Sequence, residues 1–527
     1  MRRFCQKNVI AVILLGSLCL LLYYAVIGSL TSHMTHLQEA LGIVSNKIGI
    51  PDYLQKHAFL TLNMRNIYFP VADKNITSRN VLPPKFKTQN HALNISAHKN
   101  STMSKEENVE NDPTLQNNVT NGVGNISPHK VFIYELPEKF SGGLIECVSQ
   151  KYGANCYDTS DFGYGRQLYT DHGLSVRATW QFSLELIIHN KLLRSPHRTR
   201  NASEASMFYV PYYGALASFC YQLQINFTYP INFTEYAGEL SIFLMQQTQF
   251  QDGRPHVMTL GRIEREMRAV GYPIMPRSHL HHVVFVGIEQ EINDRFRRFY
   301  TSRLAPLIVA PYPSYGHLLG KSGTIPTYLE TLYREPRNVF ILLAASTRRS
   351  SPLRGILLDQ FAKSATRVSY TDYFSTRYNG SMTDTIWLQT EECNNQHENE
   401  TMSWMKRSVF CLQPSGDSPT RKSFYDAVLA GCIPVIFRGD YNVIYPFETK
   451  LNYASFTVSI NETEVVHKHV TRILAPFKTV HREKVKTMQQ GILNVLPWLQ
   501  YNYPPDNNSG PDALDLILQE IVHRFNI

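Results

Sequence analysis

Short apolar runs recur along this chain with polar or turn-forming stretches between them, the spacing of buried parallel strands that alternate with helices. In the first half they cover residues 131–134, 207–210, 257–260 and 283–286; in the second, 339–343, 409–412 and 433–437. Residues 180–193 place Phe182, Leu186, Ile187 and Leu193 near helical spacing, so a helix is expected between the first two strands. Residues 300–336, rich in Pro, Gly and Tyr, read as a connection. The pattern predicts an α/β protein of two facing Rossmann-like domains, residues 129–305 and 306–527, the second closed by C-terminal helices. One run breaks the alternation. Residues 9–30 carry no charge and are long enough, at about 1.5 Å per residue, to cross a bilayer core of about 30 Å. Arg2, Arg3 and Lys7 precede that run, so the positive-inside rule leaves residues 1–8 in the cytosol. The run is too long for a typical signal-peptide core and ends without a clean small-residue cleavage site, so a single transmembrane signal anchor is expected. Residues 31–128 then form a stem, polar, poor in aromatics and without sustained periodicity between 75 and 127, as expected of disorder.

The densest chemistry lies in residues 410–437, FCLQPSGDSPTRKSFYDAVLAGCIPVIF. An apolar strand is stopped by Gln413-Pro414-Ser415-Gly416-Asp417, and a second strand follows a helix. Ser418 is expected as the N-cap with Pro419 at the first helical position, and Gly431 as the residue that ends the helix. The helix then points unpaired N–H groups and the positive end of its dipole at the glycine loop, where Arg421 and Lys422 add full charges, so a phosphate is favoured. Ser418 and Ser423 offer hydroxyl contacts. Asp426 lies one turn further in, placed to accept from ribose hydroxyls or to make an i,i+4 ion pair with Lys422.

Twelve N-x-Ser/Thr sequons follow the apolar run, from Asn75 to Asn507, with a cluster in the stem, which agrees with a lumenal, glycosylated chain. Cys5 and Cys19 lie before or inside the anchor; Cys147, Cys156, Cys220, Cys393, Cys411 and Cys432 lie beyond it, where disulfides form. Cys147 with Cys156 is the expected pair, while Cys411 and Cys432 are read equally as buried thiols. No Cys-x-x-Cys or His pair has zinc spacing, and His279, His281 and His282 read as strand-edge residues. The net charge of +9 comes from basic residues interspersed with acidic ones, which argues against nucleic acid.

Residues 410–426, with AGCIPVIF after them, resemble the signature of the exostosin-type glycosyltransferases, family 47, and most closely the plant xyloglucan galactosyltransferase subgroup. VFIYELPEKF at 131–140, MFYVPYYGAL at 207–216, LGRIEREMR at 260–268, PYPSYGH at 311–317, FILLAAS at 340–346 and LRG at 353–355 fall in the same order. The subgroup has an aromatic residue where this chain has Arg265. The resemblance implies the two-domain arrangement called GT-B, with a UDP-sugar and a polysaccharide acceptor as substrates and Golgi transferases as neighbours. It implies a galactosyl transfer with inversion in the Golgi, with xyloglucan as acceptor; galacturonosyl or arabinosyl donors and mannan acceptors are the related possibilities. A non-catalytic, glycan-binding scaffold of the same fold is the reading from another class. No Asp-x-Asp is present, so a metal-independent clamp on the diphosphate is expected, with no cofactor. Arg421, the Gly416 loop and Arg262 are the candidate clamp, although Arg262 could instead pair with Glu264 or Glu266. Asp171 and His172, in TDHG before an expected helix that Asp171 would cap, and Glu264 and Glu266 are the candidate bases. Tyr209, Tyr212 and Tyr213 are a candidate sugar platform. An anionic nucleotide sugar or an acidic polysaccharide fits the net charge.

Overall fold

The computed structural model describes residues within 129–527, apart from 153–156, 222–230, 264–265, 267–281, 291–306, 321–326, 329, 333–336, 349–350, 365, 369–382, 390–396, 417, 440–442, 468–476, 478–479 and 507–509. The expected anchor and stem lie outside the described residues, as do Cys156, Cys393, Glu264, Arg265, His279, His281 and Asp417. Among the described residues no helix is long and apolar enough to cross a membrane.

The first half of the described chain supplies β1 (Val131–Ile133), β2 (Gln167–Asp171), β3 (Leu174–Arg177), β4 (Arg198–Thr199), β5 (Met207–Val210), β6 (His256–Leu260), β7 (Val283–Gly287) and β8 (Leu307–Val309). The remainder supplies β9 (Gly316–Leu318), β10 (Val339–Ala345), β11 (Thr366–Val368), β12 (Thr383–Gln389), β13 (Ser408–Gln413), β14 (Ile433–Arg438) and β15 (Val458–Asn461). Two six-stranded sheets result, in the orders β4-β1-β5-β6-β7-β8 and β11-β12-β10-β13-β14-β15, with every pairing parallel. All residues of β5, β6, β7 and β13 are buried, the condition that lets a strand be apolar on both faces. A third, antiparallel sheet, β2-β3-β9, ties a hairpin of the first half to the connection.

Two features depart from the expected division at 305. Leu307–Val309 is the sixth strand of the first sheet, pairing with β7. The C-terminal helix Ala513–Phe525 returns to that same sheet, where Leu514, Ile517 and Leu518 share a small apolar cavity with Val131, Met207 and Val257. Its capping residue Asp512 accepts from the Leu514 N–H and forms a buried ion pair with Lys191, at 2.8 Å, on the helix Leu184–Arg194. The apolar side of a terminal helix finds its partner by shape rather than by nearness in sequence.

The cysteines also differ from expectation. Cys147 pairs with Cys220, not Cys156, because the helices Gly142–Tyr152 and Gly214–Tyr221 pack side by side and bring the two Cα atoms to 5.9 Å. Cys411 and Cys432 are joined, which closes a loop over 21 residues between adjacent parallel strands.

Candidate active site

β10 and β13 are neighbours, so their carboxyl ends bring residues 346–354 beside residues 413–421. This is where ligands bind in open parallel sheets. The Ser351 hydroxyl reaches the Ser415 carbonyl at 3.4 Å and so joins the two loops. Arg421 donates to the Pro414 carbonyl at 3.1 Å and to the Ala344 carbonyl at 3.4 Å. Arg354, in the first turn of the helix Pro352–Ser364, is buried and donates to the Ser346 hydroxyl at 2.9 Å. Burial, and then the positive charge of Arg354, lower the Arg421 pKa to about 10, and Asp426 offsets part of this. Arg421 stays protonated near neutrality. Two guanidiniums therefore converge at the sheet edge beside two helix N-termini, an arrangement whose charge and N–H donors favour an anion.

The helix starts later than expected. It covers Lys422–Leu429 with Arg421 as N-cap, rather than opening at Ser418 and Pro419. The reason lies across the seam: the Ser418 hydroxyl donates to Glu289 at 2.9 Å instead of capping the helix. The other end is as expected. Gly431 has a φ of 63°, its N–H bonds to Val428 and that of Cys432 bonds to Ala427, the Schellman pattern. A side chain at Gly431 would also meet Arg337 at 2.5 Å. At Gly416 a side chain would meet nothing within 4 Å, so the loop is open there. Ser423 donates to the Gln413 side chain at 2.6 Å.

Asp426, read as a ribose acceptor or a partner of Lys422, has its contacts inside the protein. It is buried, takes the Lys422 ammonium at 3.0 and 3.1 Å, and accepts the Tyr315 N–H at 2.8 Å. Burial raises its pKa, and Lys422 and the Tyr315 bond oppose that shift. The i,i+4 pair thus forms, but inside the protein rather than on its surface. It braces the helix against the segment that links the halves.

On the first half, Arg262 follows β6 in a loop held from below. Glu185, fully buried, accepts the N–H of Gly261 at 2.9 Å and that of Ala215 at 2.9 and 3.1 Å. Burial pushes the Glu185 pKa up to about 8, against the pull of those N–H groups. A Cβ at Gly261 would lie 2.6 Å from the Phe182 carbonyl oxygen, so glycine is the residue that fits. Arg262 donates to Glu266 at 2.8 Å and to the Ser218 hydroxyl at 2.8 Å, and its guanidinium lies over the Phe219 ring. The ion-pair reading of Arg262 is therefore realised with Glu266. Tyr312 accepts the Thr420 hydroxyl at 3.5 Å, and burial, then Glu289, and more weakly Glu266 raise its pKa.

Asp171 and His172 stand apart from this group. They do not precede a helix. Asp171 ends β2, and His172 and Gly173, with φ of 46° and 101°, make the two-residue turn into β3. The Asp171 carboxylate bonds to His172 and to Lys406 at the end of the helix His397–Lys406. Burial alone would raise its pKa, but those two partners hold it below the usual value. Their role is to tie the hairpin to the second half. Tyr209, Tyr212 and Tyr213 are buried core rather than a sugar platform, since β5 is covered on both faces. His282 is buried beside Phe250 and His256, and among the described residues no cluster has the makings of a metal site.

Glu289, Glu185 and Arg354 are site residues that periodicity did not single out. The signal was their position: Glu289 lies two residues past β7, and Arg354 opens the helix after β10.

Residues 126–476 match the family model described as the Exostosin GT47 domain. From Arabidopsis thaliana, Xyloglucan-specific galacturonosyltransferase 1 is 27% identical over 75% of this chain and 57% of its own length. Probable xyloglucan galactosyltransferase GT15 is 28% identical over 75% of this chain and 82% of its own. Xyloglucan galactosyltransferase MUR3 is 24% identical over 75% and 62%. The alignment thus spans less than two thirds of the first and third of these relatives. The pneumococcal O-GlcNAc transferase GtfA, solved with UDP and GlcNAc, aligns with 55% of this chain and 60% of its own at 8% identity, with a TM-score of 0.26.

Proposed function

The chain belongs to the exostosin GT47 family, and from that premise we propose that it is a UDP-sugar-dependent glycosyltransferase acting on a cell-wall polysaccharide. The donor is UDP-galactose, the acceptor a xyloglucan side chain, and the transfer inverts the anomeric carbon; of the relatives named above, two carry the name xyloglucan galactosyltransferase, one of them as probable, and the third is a xyloglucan-specific galacturonosyltransferase. The reading places two facing domains in the GT-B manner, held in the Golgi lumen by the 9–30 anchor.

One observation carries this reading: Arg421 and Arg354 converge at the carboxyl edge of a parallel sheet, beside the N-terminus of Lys422–Leu429. In the transfer an acceptor hydroxyl gives its proton to a carboxylate, its oxygen bonds to the anomeric carbon, and the bond from that carbon to the diphosphate breaks. Charge grows on the diphosphate, and fixed guanidiniums and N–H groups stabilise it there without a metal ion. Glu266, held by Arg262, and Asp171, held by Lys406, are both candidate bases.

The test is UDP release from a panel of UDP-sugars in EDTA, with and without xyloglucan oligosaccharides. Acceptor-dependent release from UDP-galactose is the expected result. Release that requires an added divalent cation would overturn the metal-independent clamp, and a chain that binds no UDP would point to the scaffold reading.

A further inference from the structure

The segment before the helix Lys422–Leu429 is held by a carboxylate of the opposite half. Glu289 is 2% exposed. Its Oε2 accepts the Ser418 hydroxyl at 2.9 Å, the Thr420 N–H at 2.9 Å, and the Thr420 hydroxyl. Three donors from two residues, Ser418 and Thr420, thus converge on one oxygen. Hydrogen bonds in such a buried place are electrostatically stronger than in water. The donors are hydroxyls and a backbone amide, while Arg421, the next residue, bonds to neutral carbonyls of its own half and keeps its charge for a ligand. A carboxylate placed on Arg421 would have neutralised the site; placed on residues 418 and 420, it sets the shape and leaves the charge.

We propose that Glu289 is a positioning residue for the transfer reaction, one that holds Ser418 and Thr420 across the seam so that Arg421 and the first N–H groups of the helix meet the diphosphate. The inference rests on the transferase reading above and adds to it. The diphosphate site of the second half is shaped by the first, so donor affinity depends on contact between the halves.

The experiment compares the full wild-type chain with Glu289→Ala, Glu289→Gln and Thr420→Val, measuring the UDP Kd by calorimetry and the donor KM and kcat separately. Glu289→Ala is expected to raise Kd and KM about tenfold or more, with kcat changed much less. Glu289→Gln is expected to restore both to within about threefold, because the amide oxygen can accept from the same donors. Thr420→Val, which leaves the carboxylate in place, is expected to raise KM by about threefold to tenfold and keeps the test alive if Glu289→Ala does not fold. A Glu289→Gln chain with wild-type Kd and a kcat lowered about a hundredfold would overturn positioning in favour of proton transfer. Wild-type Kd and KM in every variant would overturn it outright. A wild-type chain that binds no UDP would instead sink the transferase reading, and the inference with it.

Discussion

Both large sheets are built from six parallel strands, yet the charges at their carboxyl ends are balanced differently. After β10 and β13 the second sheet carries Arg354 and Arg421; after β6 and β7 the first carries Glu266, paired with Arg262, and the buried Glu289, with Glu185 buried beneath the β6 loop. Shared topology therefore sets an address for chemistry without setting its charge. The division suits a reaction that needs a fixed cation on the leaving group and carboxylates on the acceptor side. It also assigns a cost to each half. The first must bury acids, and the second must hold two cations close together.

The largest expected break in this contrast is Arg421→Ala, which should lower kcat/KM about a thousandfold in the UDP-release assay, as for loss of a preorganised charge at a transition state. A variant with full activity would remove Arg421 from the clamp. Next in size is Cys411→Ser. The disulfide to Cys432 closes a loop that contains the whole 413–421 segment and its helix, so its loss should cost about 3 kcal/mol in denaturant unfolding. An unchanged midpoint would mean that packing alone secures the second half. Arg354→Ala comes third, with a rise of about tenfold in donor KM expected from the loss of one charged hydrogen-bonding group. An effect equal to that of Arg421→Ala would show that the two guanidiniums act as one unit.

The smallest effect is a pH dependence in the first half. The Glu185 pKa is raised to about 8, so the folded chain keeps a proton that the unfolded chain gives up near its ordinary value. That stability is fully present below about pH 4.5, is lost as pH rises from there to about 8, and stays level above that. His256 works from the other side. Burial lowers its pKa to about 3, so the unfolded chain binds a proton first and stability falls as pH drops below about 6.5. Urea midpoints between about pH 6.5 and 8, where His256 is neutral in both states, read Glu185, and a flat profile there would show that Glu185 is ionised when folded.

The strands of both halves were legible because burial on two faces leaves a continuous apolar run, as in β7 and β13. Gly431 was legible for a local reason too, since a helix end needs a residue that tolerates positive φ. What could not be read were partners distant in sequence. Ser418 has the residue type of an N-cap, and only a carboxylate 129 positions away takes it from that role. Asp171 likewise looks like a cap until Gly173 and the turn geometry make it the end of a strand. Tyr209 and its neighbours show the limit of residue type alone: the same aromatic ring is a platform or a core residue according to what covers it.

The return of the helix Ala513–Phe525 to the first sheet has a consequence for synthesis. The last strand of that sheet, Leu307–Val309, leaves the ribosome about two hundred residues before the helix that covers its neighbours. At about 5–20 residues per second, that delay is on the order of ten to forty seconds. During it Val131, Met207 and Val257 lack the cover that Leu514 and Ile517 provide, and Lys191 waits for Asp512. The first sheet is thus fully covered only after the helix Ala513–Phe525 has been made.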